Sequence, residues 1–205
     1  AGWREFPPSC PPTLEEADPA CYDPKARLAY MDANGIYAQV LYPNVIAFEG
    51  HAFMALPDDE LKLACVRTYN DYQAEFASVA PERFVCLATV PFWDLDASIE
   101  ELRRCHALGH RGLLWAATLE KHGLPDFVDP HWDPLYAVAQ ELGMSINFHV
   151  GVGNTREEIE AAMNRESYDP AYNAAHSSMS FVSNIRTIGL LLTSGLCDRF
   201  PELDF

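Results

Sequence analysis

The stretch Ser145-Ile146-Asn147-Phe148-His149-Val150-Gly151 carries most of the structural information in this chain. Side chains alternate across a strand, so Ile146, Phe148 and Val150 point one way and Asn147 and His149 the other. The apolar set suits a covering layer of helices. The polar pair then faces the opposite side, toward the inside or mouth of a barrel if the sheet closes. Gly151 turns the chain, leaving His149 as the last polar residue of the strand. A neutral imidazole at such a strand end can ligate Zn²⁺ or a similar ion. It can equally be a hydrogen-bonded core histidine, and spacing alone leaves both readings open.

The segments on either side repeat one rhythm of helix, glycine and apolar strand. Asp133-Pro134 opens a helix whose Leu135, Val138, Ala139 and Leu142 follow helical spacing, and Gly143 closes it ahead of strand 145–150. Before it, a helix opening near Asp96 buries Ile99, Leu102, Cys105 and Leu108. Gly109 and strand 112–115 follow. Residues 58–79 form a longer helix with Leu61, Cys65, Thr68, Tyr72, Phe76 and Val79 on its buried stripe, stopped by Pro81 and followed by strand 84–90. Asp23-Pro24 begins the first helix, with Leu28 and Met31 on one face, and Gly35 ends it before strand 38–42. A last helix covers 181–194. Residues 203–205 then open another strand. Residues 1–22 are Pro-rich and read as an extended loop, and 23–205 as successive βα units of one domain.

Apolar strands alternating with amphipathic helices imply an α/β fold with a helix-covered parallel sheet. Two architectures remain: a doubly wound open sheet, or part of a (β/α)₈ TIM-type barrel. A complete barrel usually takes about 250 residues, and this chain has 205.

Composition narrows the function. The formal net charge is −16, with 14 Lys and Arg that never cluster. Nucleic acid needs a basic face, so no nucleic-acid partner is expected, and the same argument sets aside an anionic membrane surface. No apolar run reaches the roughly 18 residues of a membrane helix, and no basic-then-apolar stretch marks a signal peptide. Six cysteines form no C-x-x-C pair. Cys65 and Cys105 fall on helix faces and Cys86 in a strand, as buried thiols of a reducing cytoplasm, whereas Cys10 and Cys21 flank a loop and could pair.

Other chemistries find little footing. There is no G-x-S-x-G elbow, no phosphate loop, and no H-x-H or H-E-x-x-H. Gly151-Val152-Gly153 lacks the third glycine of a dinucleotide fingerprint, since position 156 is Arg. Glu100-Glu101 and Glu157-Glu158 read as solvated helix residues. His106 and His110 read as solvent-facing, and His51, His122 and His131 as loop residues. His176, just before the last helix, stays open.

Several motifs occur in a familiar order. Met31-Asp32-Ala33-Asn34-Gly35-Ile36 precedes Gln39-Val40-Leu41-Tyr42-Pro43. Asn70-Asp71 goes with Ala80-Pro81-Glu82-Arg83-Phe84, and Glu100-Glu101-Leu102-Arg103-Arg104 with Gly109-His110-Arg111-Gly112. Asp133-Pro134-Leu135, Glu141-Leu142-Gly143, Phe148-His149-Val150-Gly151, Ser194-Gly195 and Arg199-Phe200-Pro201-Glu202-Leu203 complete the series. From about residue 23 to 205 this resembles the amidohydrolase-related family that contains aminocarboxymuconate-semialdehyde decarboxylase.

The resemblance implies a metal-binding (β/α)₈ barrel, of which this chain would supply roughly the second to fifth strands. It implies His149 as metal ligand at the end of the fifth strand, and a divalent metal, Zn²⁺ or Mn²⁺. It also implies hydrolysis, or non-oxidative loss of CO₂, on a small carboxylated or cyclic substrate. Asn147 would orient His149 or touch substrate, Trp93 and Trp115 would line the pocket, and a homo-oligomer is expected. The family's first-strand motif is absent, and its sixth-strand histidine and eighth-strand aspartate would lie beyond Phe205. The chain therefore reads as an interior fragment. No general acid or base is assigned, and Trp93 stands where the family often has a smaller polar residue. Two rival readings remain: a truncated, inactive barrel or interaction module, and a doubly wound protein binding a small ligand.

Overall fold

A computed structural model describes residues 13–43, 51–149 and 184–205. The expectations for Cys10, Val150, the Gly151-Val152-Gly153 turn, Glu157-Glu158 and His176 lie outside the described residues. In chain order the principal elements are α1 (Pro24–Ala33), β1 (Gln39–Leu41), α2 (His51–Met54), α3 (Asp59–Ala77), β2 (Phe84–Ala88), α4 (Leu95–Ala107), β3 (Gly112–Leu114), α5 (Asp133–Leu142), β4 (Ser145–Asn147), α6 (Asn184–Thr193) and α7 (Leu196–Arg199).

Aspartates start the helices as expected. Asp23 accepts from the Lys25 and Ala26 N–H groups, with Pro24 at the first helical position. Asp58 and Asp94 each accept from the N–H three residues on, at 3.0 Å; α4 therefore starts just before the expected Asp96. A short 3₁₀ turn, Pro130–Trp132, precedes α5, so Asp133 is already inside the helix. Gly143 ends α5 at φ 64°, a left-handed conformation that glycine adopts at little cost and most other residues avoid. His51 opens α2 and is not in a loop.

The strands are shorter than their apolar runs but centred where expected. All are parallel, in the order β1-β2-β3-β4. This order excludes the doubly wound alternative. A doubly wound sheet reverses direction at a switch point. Here each strand lies beside its predecessor, and right-handed crossovers then place every connecting helix on one face. Such a singly wound sheet is a barrel segment, with the helices outside. Residues 203–205, expected to open another strand, form none here; they lie beside β4 through one hydrogen bond, the Ile146 N–H donating to the Asp204 carbonyl at 2.8 Å.

The outer face holds the core. Leu113 and Ile146 from the strands pack with Leu102, Cys105, Leu135 and Ala139 from α4 and α5. A second cluster joins Met31, Phe76, Phe84 and Cys86. Each large side chain so buried contributes about 1.5–3 kcal/mol.

One helix is rotated from the expected stripe. In α3 the buried residues are Lys62, Val66, Asn70, Gln73, Phe76 and Ala77, while Leu61, Tyr72 and Val79 are exposed. The polar members of the buried face have structural work. Asn70 grips both backbone groups of Thr89: its Oδ1 accepts from the Thr89 N–H at 3.0 Å and its Nδ2 donates to the Thr89 carbonyl at 2.9 Å. Asn70 also donates to Glu101 at 2.7 Å, and Arg104, Arg67 and the Cys105 thiol donate to the same carboxylate. Glu101 is fully buried, not solvated as expected. Burial raises its pKa, but the hydrogen bonds from Arg104 and Asn70 outweigh this and hold it below the usual range. The network ties the chain just beyond β2 to α3 and α4.

Candidate active site at the strand ends

Leu41 packs in the outer cluster, so Val40 and Tyr42 belong to the inner face of the sheet. By the same alternation Leu87, Gly112, Leu114, Ser145, Asn147 and His149 share that face. Geometry supports this at Gly112: a Cβ there would sit 2.5 Å from Asn147 Nδ2, 2.7 Å from Ser145 Oγ and 2.9 Å from Leu87 Cδ2. Glycine is required because three inner-face side chains close over it.

Asn147 is held by its own strand and its neighbour. Its Nδ2 donates to the Ser145 Oγ at 3.0 Å, the Ser145 carbonyl at 3.1 Å and the Leu113 carbonyl at 3.4 Å. His149 follows two residues later, half-buried, with its ring against Tyr42. The centroids are 5.5 Å apart and the planes inclined at 61°. Tyr42 and His149 come from the ends of the first and last strands of the four-stranded sheet. Their contact shows that the sheet coils enough to bring its two margins together at the C-terminal end, where barrel enzymes place their sites. Tyr42, Asn147, Phe148, Thr187, Ile188 and Phe205 line an adjoining recess of about 270 Å³.

The two tryptophans fall elsewhere. Trp115 has the parity of Leu113, so it points outward beneath α5. It is 2% exposed, stacks edge-on against Trp132 at 5.1 Å and donates from Nε1 to the Tyr136 hydroxyl at 2.8 Å. Tyr136 passes a hydrogen bond on to the Phe127 carbonyl, and burial raises its pKa. Trp115 is therefore a packing residue, which corrects the expected pocket role. Trp93 lines a separate groove of about 260 Å³ with Asp59, Glu60, Leu63, Pro91 and Asp94. Lys62 Nζ lies 4.5 Å over its ring. The described contacts of Trp93 are with Phe53, Phe92 and Lys62, not with Asn147 or His149.

Other expectations shift. His110 is buried, not solvent-facing, because the chain turns inward at Gly109 and seats the ring against the Cys105 carbonyl, 3.1 Å from Nδ1. His106 and His131 are exposed, the latter edge-on to Trp132. His122 packs on Phe92. Burial pushes the Cys86 thiol up to about 11 and also raises that of Cys105, so neither is a nucleophile at neutral pH. Cys21 is free and exposed.

Among the described residues no three His, Cys, Asp or Glu side chains converge as a metal site. His149 offers one imidazole donor at the strand ends, where a catalytic zinc site uses three protein ligands. The described residues thus fit a share in a metal centre and not a whole one.

Comparison with known proteins agrees with this architecture. The chain is 34% identical over 182 residues to gamma-resorcylate decarboxylase of Rhizobium sp. (strain MTP-10005), covering 87% of this chain and 52% of that enzyme. It is 31% identical over 137 residues to 2-amino-3-carboxymuconate-6-semialdehyde decarboxylase of Dictyostelium discoideum, covering 66% of this chain and 36% of that one. A crystal structure of 2,6-dihydroxybenzoate decarboxylase complexed with 2,6-dihydroxybenzoate superposes with a TM-score of 0.57 at 27% identity, over 86% of this chain and 52% of the other. A dihydroxybenzoic acid decarboxylase from Polaromonas sp. JS666, with bound manganese, shares the fold at a TM-score of 0.56 and 22% identity, over 86% and 51%. The chain thus spans about half the length of most of these proteins, an incomplete barrel of their type. Residues 3–205 match the amidohydrolase family Amidohydro_2, and the chain belongs to that family.

Proposed function

We propose that this chain is the part of a metal-dependent carboxy-lyase that supplies one metal-ligating imidazole, His149, and the wall beside it. The substrate class is a small aromatic carboxylate, as the names of the gamma-resorcylate and dihydroxybenzoate decarboxylases suggest. Hydrolysis by the same kind of centre is the second reading, favoured by the family as a whole. The observation that carries the proposal is the position of His149: two residues past the end of β4, with inner-face parity, where Tyr42 meets its ring and Tyr42 and Asn147 line one recess.

Non-oxidative decarboxylation breaks one C–C bond. The electron pair stays on the ring carbon, which takes a proton, and CO₂ leaves. A bound divalent metal would polarise the substrate's oxygens. This chain's own residues would hold the ring: Tyr42 offers aromatic surface, and Asn147 is fixed by its three acceptors. The metal is Zn²⁺ or Mn²⁺, manganese being the ion in the Polaromonas relative. The free cysteines support a reducing cytoplasm. Among the described residues no helix is long and apolar enough to cross a membrane. Exposed Ile185, Ile188 and Leu192 on α6 support a homo-oligomer.

The test is metal content by mass spectrometry on the purified chain and on His149→Ala, with CO₂ release from 2,6-dihydroxybenzoate measured in parallel. More metal in the wild type than in the variant, below one full equivalent because this chain supplies one imidazole of the set, is the expected result. Equal metal in both proteins would remove His149 from the ligand set.

A further inference from the structure

We propose that Tyr42 is a positioning residue for His149: its ring fixes the plane of the imidazole at the mouth of the sheet. The role of His149 as a ligand is the reading made above, and this inference deepens it.

Three observations carry it. Tyr42 and His149 follow the ends of β1 and β4, the two outermost strands of the sheet, so their contact is made by coiling and not by adjacency in the ladder. Both have inner-face parity, opposite to Leu41 and Ile146, which are packed under helices. Their rings meet at 5.5 Å and 61°, in the edge-to-face range that aromatic pairs favour. The torsion that turns an imidazole about its Cβ–Cγ bond is broad and two-fold, so backbone geometry alone leaves the ring plane loosely set. A ring packed against it narrows that freedom. Asn147, two residues earlier on the same strand, spends its amide on Ser145 and Leu113. The Asn147 Nδ2 is therefore committed elsewhere, while the Tyr42 ring meets the imidazole from across the sheet.

This assigns the ring of Tyr42, and not its hydroxyl, to the positioning. The conservative variant should therefore keep the function and the truncation should lose it. The measurement is the rate at which diethyl pyrocarbonate modifies His149, followed by peptide mass spectrometry on the metal-free 205-residue chain. Tyr42→Ala should speed modification by about two- to tenfold, the span that the contribution of an aromatic pair implies. Tyr42→Phe should leave it at the wild-type rate. Tyr37→Ala, at a side chain 78% exposed on the same approach to β1, serves as the control and should also leave it unchanged.

An unchanged rate in Tyr42→Ala would overturn the proposal, and so would an equal rise in Tyr42→Phe, which would assign the effect to the hydroxyl. If Tyr42→Ala fails to fold, nuclear magnetic resonance of the imidazole protons replaces it. A ring-current shift of the His149 signal that persists in Tyr42→Phe supports the ring contact, and its absence in the wild type overturns it. Neither readout uses metal. Retention of metal by His149→Ala would sink the ligand reading and leave the outcome for Tyr42 standing.

Discussion

The two faces of the sheet are built on different terms. The outer face is closed: Leu113, Trp115 and Ile146 are at most 2% exposed beneath α4 and α5. On the inner face Leu87 and Leu114 are buried, but Val40 is 49% exposed, Gly112 has no side chain, and Asn147 and His149 are only partly covered. Burial supplies stability roughly in proportion to the apolar area removed from water. The outer face therefore holds most of the folding free energy, and the inner face is free to carry polar groups whose worth lies in chemistry.

Trp115→Ala is the strongest test of that division. If Trp115 is an outer-face packing residue, its loss leaves a cavity beside Trp132 and strands the Tyr136 hydroxyl. Stability should fall by about 3–5 kcal/mol, read from the midpoint of urea unfolding. A variant of normal stability that had lost ligand binding would reverse the assignment of faces.

That residue also marks how far the sequence alone can be read. Strand positions were legible because each is a short apolar run between a glycine and a proline or turn. The polar parity of Asn147 and His149 was legible for the same reason. Trp115 carried the needed signal in its even spacing from Leu113, but its attraction as a strand-end aromatic hid it. The stripe of α3 misled because its buried face contains Lys62, Asn70 and Gln73. Hydrophobic periodicity has no means of recognising a buried polar network whose partners, Thr89 and Glu101, lie far along the chain. Tyr42 had no local signal at all. Its role depends on the coiling of the sheet, which brings residue 42 to residue 149 and leaves no trace in spacing.

Gly112→Ala sharpens the comparison from the inner side. The added Cβ would overlap Asn147, Ser145 and Leu87. The expected loss is about 1–3 kcal/mol, smaller than for Trp115→Ala because the crowded atoms include side-chain ends facing open space. Adding Asn147→Ala should recover part of that loss, since it removes the 2.5 Å contact. A double-mutant cycle in urea checks this, and strict additivity would mean the two sites do not touch.

The smallest effect concerns His110, which belongs to neither face but to the turn that feeds β3. Its Nδ1 lies 3.1 Å from the Cys105 carbonyl, and its Nε2 is buried with no hydrogen-bond partner. Burial, first, and the nearby Arg104 lower its pKa, while the Cys105 carbonyl, Glu101 and Asp71 pull the other way; the net shift is downward. The folded state therefore binds fewer protons than the unfolded state, whose histidine titrates near about 6.5. Stability from this group is fully present above that value and is lost as pH falls toward the lowered folded pKa. His110→Asn keeps a donor near the Nδ1 position and removes the titration. Urea midpoints of the wild type should decline between neutral pH and pH 5 more steeply than those of the variant. Parallel declines would place the acid sensitivity of that range in groups other than His110; Glu101, held below the usual carboxylate range, loses its contribution only at lower pH as the carboxylate takes up its proton.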